Sequence, residues 1–182
     1  MKNYLTEHHT GRMLCIDPGP HNSGIAYLKD GLLSGSNQAV DNEELHCILT
    51  GLWNRKNTVC MEELESYNLR AGQATFKSVF WSGRFFEAFN GEVKLITRKQ
   101  VRIFMLGSLK IKNTDAKIRD AVLTLFEASG GGRWPEIGIK AKPGPLYGLT
   151  GHAVQALAVG ITLIGLESGM CRVSDFRQRR IF

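Results

Sequence analysis

Short apolar runs and turn signals alternate through the first forty residues, and longer apolar stripes follow. The run at 13–16 stops at Asp17, where Pro18 and Gly19 end a strand: proline cannot donate to a sheet ladder, and glycine permits the turn. A second run at 24–28 returns as an antiparallel partner. Lys29-Asp30-Gly31 turns the chain again, and 32–38 supplies a third strand. Asp41 or Asn42 caps a helix with Glu43 and Glu44 in its first turn and Leu45, Ile48, Leu49 and Leu52 along one side. Residues 57–64 read as a buried strand that again ends in acid. The spacing then predicts a helix over 72–89, a strand at 92–96, a basic stretch at 98–112 and a helix from 113–115 to about 127. Glycine and proline crowd 129–148, which reads as a loop. The last helix, 151–166, is apolar almost all round and so is expected to be buried.

Strands first and alternating elements afterwards give an α/β layer with a mixed sheet and flanking helices. A chain of 182 residues makes a single domain, 1–182, with 1–11 and 169–182 as peripheral tails. Residues 1–11 are polar and do not read as a leader. The apolar stretch near 160 contains Gln155 and Thr162, which suits a core helix better than a membrane span. Cys15, Cys47, Cys60 and Cys171 are far apart and lack zinc or redox spacing, so free thiols in a reducing, cytoplasmic setting are expected. The net charge of +6 is compatible with a polyanionic partner.

Charge and burial together narrow the chemistry. The sheet brings Asp17 and the Glu62-Glu63 pair to strand ends, and alternation lets only one of those glutamates face Asp17. The buried last helix opens with a polar pair, His152 and Gln155, three apart on one face and in need of a polar partner. A carboxylate fixed on a strand suits a metal ion or a phosphate. A lone histidine at a helix start is more often a cap or a satisfied core residue; with two strand-end acids nearby, the ligand reading is the better one.

Ile16-Asp17-Pro18-Gly19 with Gly24, Met61-Glu62, Arg98-Lys99-Gln100-Val101-Arg102, Gly107-Ser108 and His152-x-x-Gln155-Ala156-Leu157 follow one another in an order that resembles the RuvC-type Holliday junction resolvases. The stretch 67–89, with Trp81-Ser82-Gly83-Arg84-Phe85, is similar to the phage-encoded branch in particular. The likeness covers most of 12–166. It implies an RNase H-like fold, with three antiparallel N-terminal strands and further parallel ones, in a homodimer that hydrolyses four-way DNA junctions. It also implies Mg2+ or Mn2+, two ions roughly 4 Å apart, with Asp17 bridging, Glu62 holding one and His152 the other. Where the family usually has a second acid in its last helix this chain has Gln155, a poorer magnesium ligand; it implies a weaker metal site, or a role orienting His152 or a water.

A charge run is usually a solvated face. Beside such a site, Arg98, Lys99, Arg102, Lys110, Lys112 and Lys117 suit contacts to DNA phosphates, with Arg70, Arg84 and the ring of Tyr67 adding to them. Most of Phe76, Phe80, Trp81, Phe85, Phe86 and Phe89 are expected in the core, and the surplus against a second subunit. A flap- or fork-cleaving nuclease of the same fold, or a junction-binding protein with weakened cleavage, fits the same residues. The glycine pattern after Asp17 also occurs in actin-like ATPases and sugar kinases, whose two lobes 182 residues cannot hold.

Overall fold

The computed structural model describes residues 4–52, 57–65, 72–169 and 172–173. Its centre is a five-stranded sheet in the order β3-β2-β1-β4-β5. The first three strands, β1 (Arg12–Asp17), β2 (Asn22–Lys29) and β3 (Leu32–Asp41), form the expected antiparallel meander. Beyond them β4 (Thr58–Glu63) and β5 (Lys94–Thr97) run parallel to β1. A parallel neighbour needs a crossover connection, and the helices α1 (Asn42–Cys47) and α2 (Gln73–Ala88) lie in the two crossovers. Asp41 caps α1, its side chain accepting from the backbone N–H of Glu43 and Glu44. The helix expected to run on to residue 52 instead winds as a π-helix over Ile48–Leu52.

Side chains alternate between the two faces of each strand, and the core divides accordingly. Leu14, Ile16, Ile25, Val59 and Met61 meet Leu45, Phe85 and Phe89 of the α1–α2 layer. Met13, Cys15, Ala26, Leu28, Cys60 and Ile96 meet α3 (Arg98–Leu106), α4 (Thr114–Leu123) and α5 (Gly151–Ser168). Helix α5 is buried continuously from Ala153 to Gly165. It approaches the sheet closely at Gly160, where a β-carbon would stand 2.3 Å from Cys15 Sγ. Cys15 and Cys60 lie side by side in register as buried free thiols; Cys47 is exposed and free.

The structure adds detail outside the main sheet and differs from expectation on the aromatics. Tyr4–Glu7 forms a 3-10 helix whose Leu5 is fully buried, and at the other end Val173 is fully buried too. The 129–148 segment is the expected loop. It contains a small hairpin, β6 (Gly138–Ile139) with β7 (Lys142–Pro143), and is anchored by the fully buried Leu146. Only Phe85 and Phe89 of the six aromatics on and after α2 are fully inside. Phe76 and Phe80 are 65% and 61% exposed, on the side of α2 opposite the buried Phe85, and Phe86 is partly open beside Met61 and Leu95 at the sheet edge.

Candidate active site

Asp17 ends β1 and Glu62 stands one residue before the end of β4. The pairing Ile16↔Met61 makes them neighbours on the C-terminal edge of two parallel strands. Both belong to the face that carries Cys15 and Cys60, the face covered by α5. Glu63, on the opposite face, is exposed. The turn after Asp17 is fixed by a ring of hydrogen bonds. Gly19 N donates to Ser23 Oγ (3.3 Å), Ser23 Oγ donates to Asn42 Oδ1 (2.7 Å), and Asn42 Nδ2 donates back to the Gly19 carbonyl (3.0 Å). Such a closed set, mostly buried, keeps the aspartate's position from depending on a loose loop.

Helix α5 delivers His152 to this edge. Its Nδ1 lies 2.9 Å from Asp17 Oδ2, so the imidazole donates when Asp17 is ionised. The approach depends on Gly24, the β2 partner of Asp17. A β-carbon there would stand 2.5–2.6 Å from the backbone carbonyl carbon and oxygen and the Cβ of His152. The His152 side chain is otherwise open to solvent, 73% exposed. Gln155, one turn further in, is buried.

Glu62 is only 4% exposed, yet it has a charged partner. Arg98 Nη1 lies 3.3 Å from both of its carboxylate oxygens, while Arg98 Nη2 donates to Asp115 Oδ1. Burial pushes the Glu62 carboxyl up to about 7; Arg98 opposes the rise and Asp17 adds to it. Burial also raises Asp17, with the His152 hydrogen bond holding it part of the way down. Asp115 adds to the rise at both acids. Sequence reasoning missed this residue. It stands in the first turn of α4, where an acid reads as helix-end chemistry, and nothing local indicates that it meets a guanidinium seventeen residues away.

The predicted cations separate into groups. Arg98 is bound to two acids. Arg102 braces the following loop by donating to the carbonyls of Leu109 and Ile111. Arg84 pairs with Glu43 at 2.9 Å and stacks over Trp81, 4.5 Å from the ring centre. Lys99 is exposed at the start of α3, and Lys110, Lys112 and Lys117 are exposed between α3 and α4 and in the first turn of α4. Tyr67 and Arg70 lie outside the described residues.

The donor chemistry fits a hard divalent cation: Asp17, Glu62 and Asp115 are oxygen donors, burial makes ionisation costly at Asp17 and Glu62, and one guanidinium neutralises only part of the charge of the three. Among the described residues, no three of histidine, cysteine, aspartate and glutamate already stand together closely enough to hold an ion.

Comparison with solved structures resolves the architecture. A structure of Thermus thermophilus RuvC superposes with a TM-score of 0.58 at 18% identity, covering 88% of this chain and 98% of that one. The fold is that of RuvC. The same organism's RuvC in complex with a Holliday junction substrate matches with a TM-score of 0.55 at 18% identity, over 90% of this chain and 99% of the other. No protein-family model and no curated protein matches the sequence. Among the described residues, no helix of this RuvC-like chain is long and apolar enough to cross a membrane.

Proposed function

We propose that this chain is a structure-specific DNA endonuclease, related to the phage-encoded branch of the RuvC-type resolvases, that cuts four-way junctions with divalent-metal assistance. The observation that carries the reading is the meeting of Asp17, Glu62 and His152 at one sheet edge, on a fold shared with a protein solved on a Holliday junction. Asp17 and Glu62 would hold the metal through carboxylate oxygens, and His152 would complete the site through its free Nε2 or orient Asp17 through Nδ1. Bound Mg2+ or Mn2+ supplies an activated water and charge neutralisation at the phosphate. Gln155, buried beside His152, adds a dipole and no charge, which favours manganese over magnesium. Lys99, Lys110, Lys112 and Lys117 would neutralise backbone phosphates, and Tyr67 and Arg70 would add to the DNA surface.

A four-way junction presents two equivalent strands, so its resolution asks for two active sites. The exposed Phe76, Val79, Phe80 and Phe86 of α2, with Leu95 beside them, support a homodimer through that face. A cytoplasmic setting, in a bacterial cell or a phage-infected host, accords with this substrate. A binding protein with weakened cleavage is the second reading, favoured by Gln155 and by the contact of Arg98 with Glu62.

Labelled four-way junctions, forks and plain duplex incubated with Mg2+ or Mn2+ test the assignment. Junction cleavage is expected, at least as fast with Mn2+, and Asp17→Asn and Glu62→Gln should bind without cutting. Undiminished cleavage by Asp17→Asn refutes the mechanism. Preferential cutting of forks redirects the substrate assignment, and tight binding without cleavage selects the second reading.

A further inference from the structure

Arg98 occupies a position that helix formation does not explain. It is the first residue of α3, where Thr97 and Gln100 form a capping box: Thr97 Oγ1 accepts from Gln100 N at 3.1 Å, and Gln100 Oε1 accepts from Thr97 N at 2.8 Å. That end of a helix carries partial positive charge, so a cation gains nothing from it. The compensation is lateral. The guanidinium bridges Glu62, whose side chain is nearly sealed, and Asp115, whose side chain is 68% exposed. Both Glu62 oxygens face the same nitrogen. A divalent ion on Glu62 would have to share those oxygens with a fixed positive charge, and at such separations like charges in a partly buried site repel strongly.

We propose that Arg98 is a positioning residue that holds Glu62 in the free protein and is exchanged for the divalent ion, with Asp115 retaining the guanidinium at the rim when it leaves. The bridge has the geometry such an exchange needs, because one arm can release the buried acid while the other keeps its solvent-facing partner. Geometry favours exchange over addition: both carboxylate oxygens of the buried Glu62 already lie 3.3 Å from one Arg98 nitrogen, so an ion held by Glu62 and the guanidinium compete for the same two atoms. This inference rests on the metal-nuclease reading above and adds a control on it.

The test is Mn2+ affinity of the full chain without DNA, followed by the electron paramagnetic resonance of free Mn2+. Arg98→Gln is expected to bind Mn2+ at least tenfold more tightly than the wild type, and to keep that gain in 0.5 M salt, where a long-range field effect would be screened. Asp115→Asn is expected to bind several-fold more weakly, since the guanidinium then rests wholly on Glu62. Arg98→Lys, which keeps the charge but loses the two-armed bridge, should bind about threefold more tightly and serves if Arg98→Gln does not fold. Equal or weaker affinity in a folded Arg98 variant overturns the exchange, and leaves the nuclease reading intact if the wild type still cuts junctions. Absence of Mn2+ binding in every variant, together with absence of cleavage, overturns both.

Discussion

His152 Nδ1 and Asp17 Oδ2 stand 2.9 Å apart, although 135 residues separate them in the chain. The bond joins the first strand to the last helix at their site ends. Replacing His152 with alanine should cost little stability, within about 0.5 kcal/mol, because the side chain is mostly solvated. Junction cleavage should fall by about two orders of magnitude or more. Parallel thermal melts and single-turnover assays would show the split.

Gly24→Ala should do the reverse at the start. The added methyl meets the His152 carbonyl carbon at 2.5 Å and its carbonyl oxygen and Cβ at 2.6 Å, atoms fixed by the helix backbone. Overpacking of this kind costs about 1–3 kcal/mol. We expect a lower melting temperature and a cleavage rate reduced at least tenfold, with crystallography showing the first turn of α5 displaced from Asp17.

Glu62 gives the metal-free protein a defined pH dependence. Its carboxyl is raised from 4.5 to about 7 in the fold, so the folded chain holds that proton more tightly than the unfolded chain. The contribution to stability is therefore greatest below pH 4.5, declines as pH rises to about 7 and is level above. Its full size is on the order of 3 kcal/mol. Asp17, also raised, acts in the same direction. Denaturant titrations in EDTA should show this decline in the wild type and a much shallower one in Glu62→Gln.

Gln155→Glu places an acid in the last helix at a buried position. Without metal the protein should lose about 1–3 kcal/mol, the cost of an uncompensated buried polar group. With Mg2+ present the melting temperature should recover, and the Mg2+ concentration for half-maximal cleavage should drop several-fold. Calorimetric melts with and without Mg2+ provide the comparison.

The α2 surface predicts an oligomer phenotype. Phe80→Ser removes an exposed ring, so the isolated fold should change by no more than about 0.5 kcal/mol. Sedimentation should show a shift from dimer to monomer at micromolar concentration, with junction cleavage lost in proportion.

Much of the architecture was legible because its signals are local. The turns at Pro18-Gly19 and Asp30-Gly31 and the alternating runs between them specify the meander, and the apolar character of 153–165 announces a buried helix. Asp17, the Glu62-Glu63 pair and His152 could be singled out because each stands at one end of an apolar run; within the pair, the resemblance to the resolvase pattern implies Glu62. What stayed hidden depends on partners remote in sequence. The basic run at 98–112 reads as one solvated face, yet Arg98 turns inward to Glu62 and Arg102 turns back onto its own loop. Asp115 looks like a helix-end acid until α4 is set beside α3. Leu5 lies in a polar segment, and only the tertiary fold gives it a fully buried place. Phe76 and Phe80 carry the periodicity of a core helix, and periodicity alone cannot tell a face turned to the sheet from one turned away.

The β1–β4 ladder has a further consequence. Met13↔Thr58, Leu14↔Val59, Cys15↔Cys60 and Ile16↔Met61 act together as a ruler for two side chains that lie just past its last rung. A slip of a single position along it would swing Glu62 to the opposite side of the sheet and bring Glu63 round in its place, since facing reverses with every residue. The spacing between the two acids is thus written into main-chain geometry, where changes in neighbouring side chains have little purchase. Chemistry at this edge can be retuned around Asp17 and Glu62, through the groups that α3, α4 and α5 present, without redrawing the distance between them.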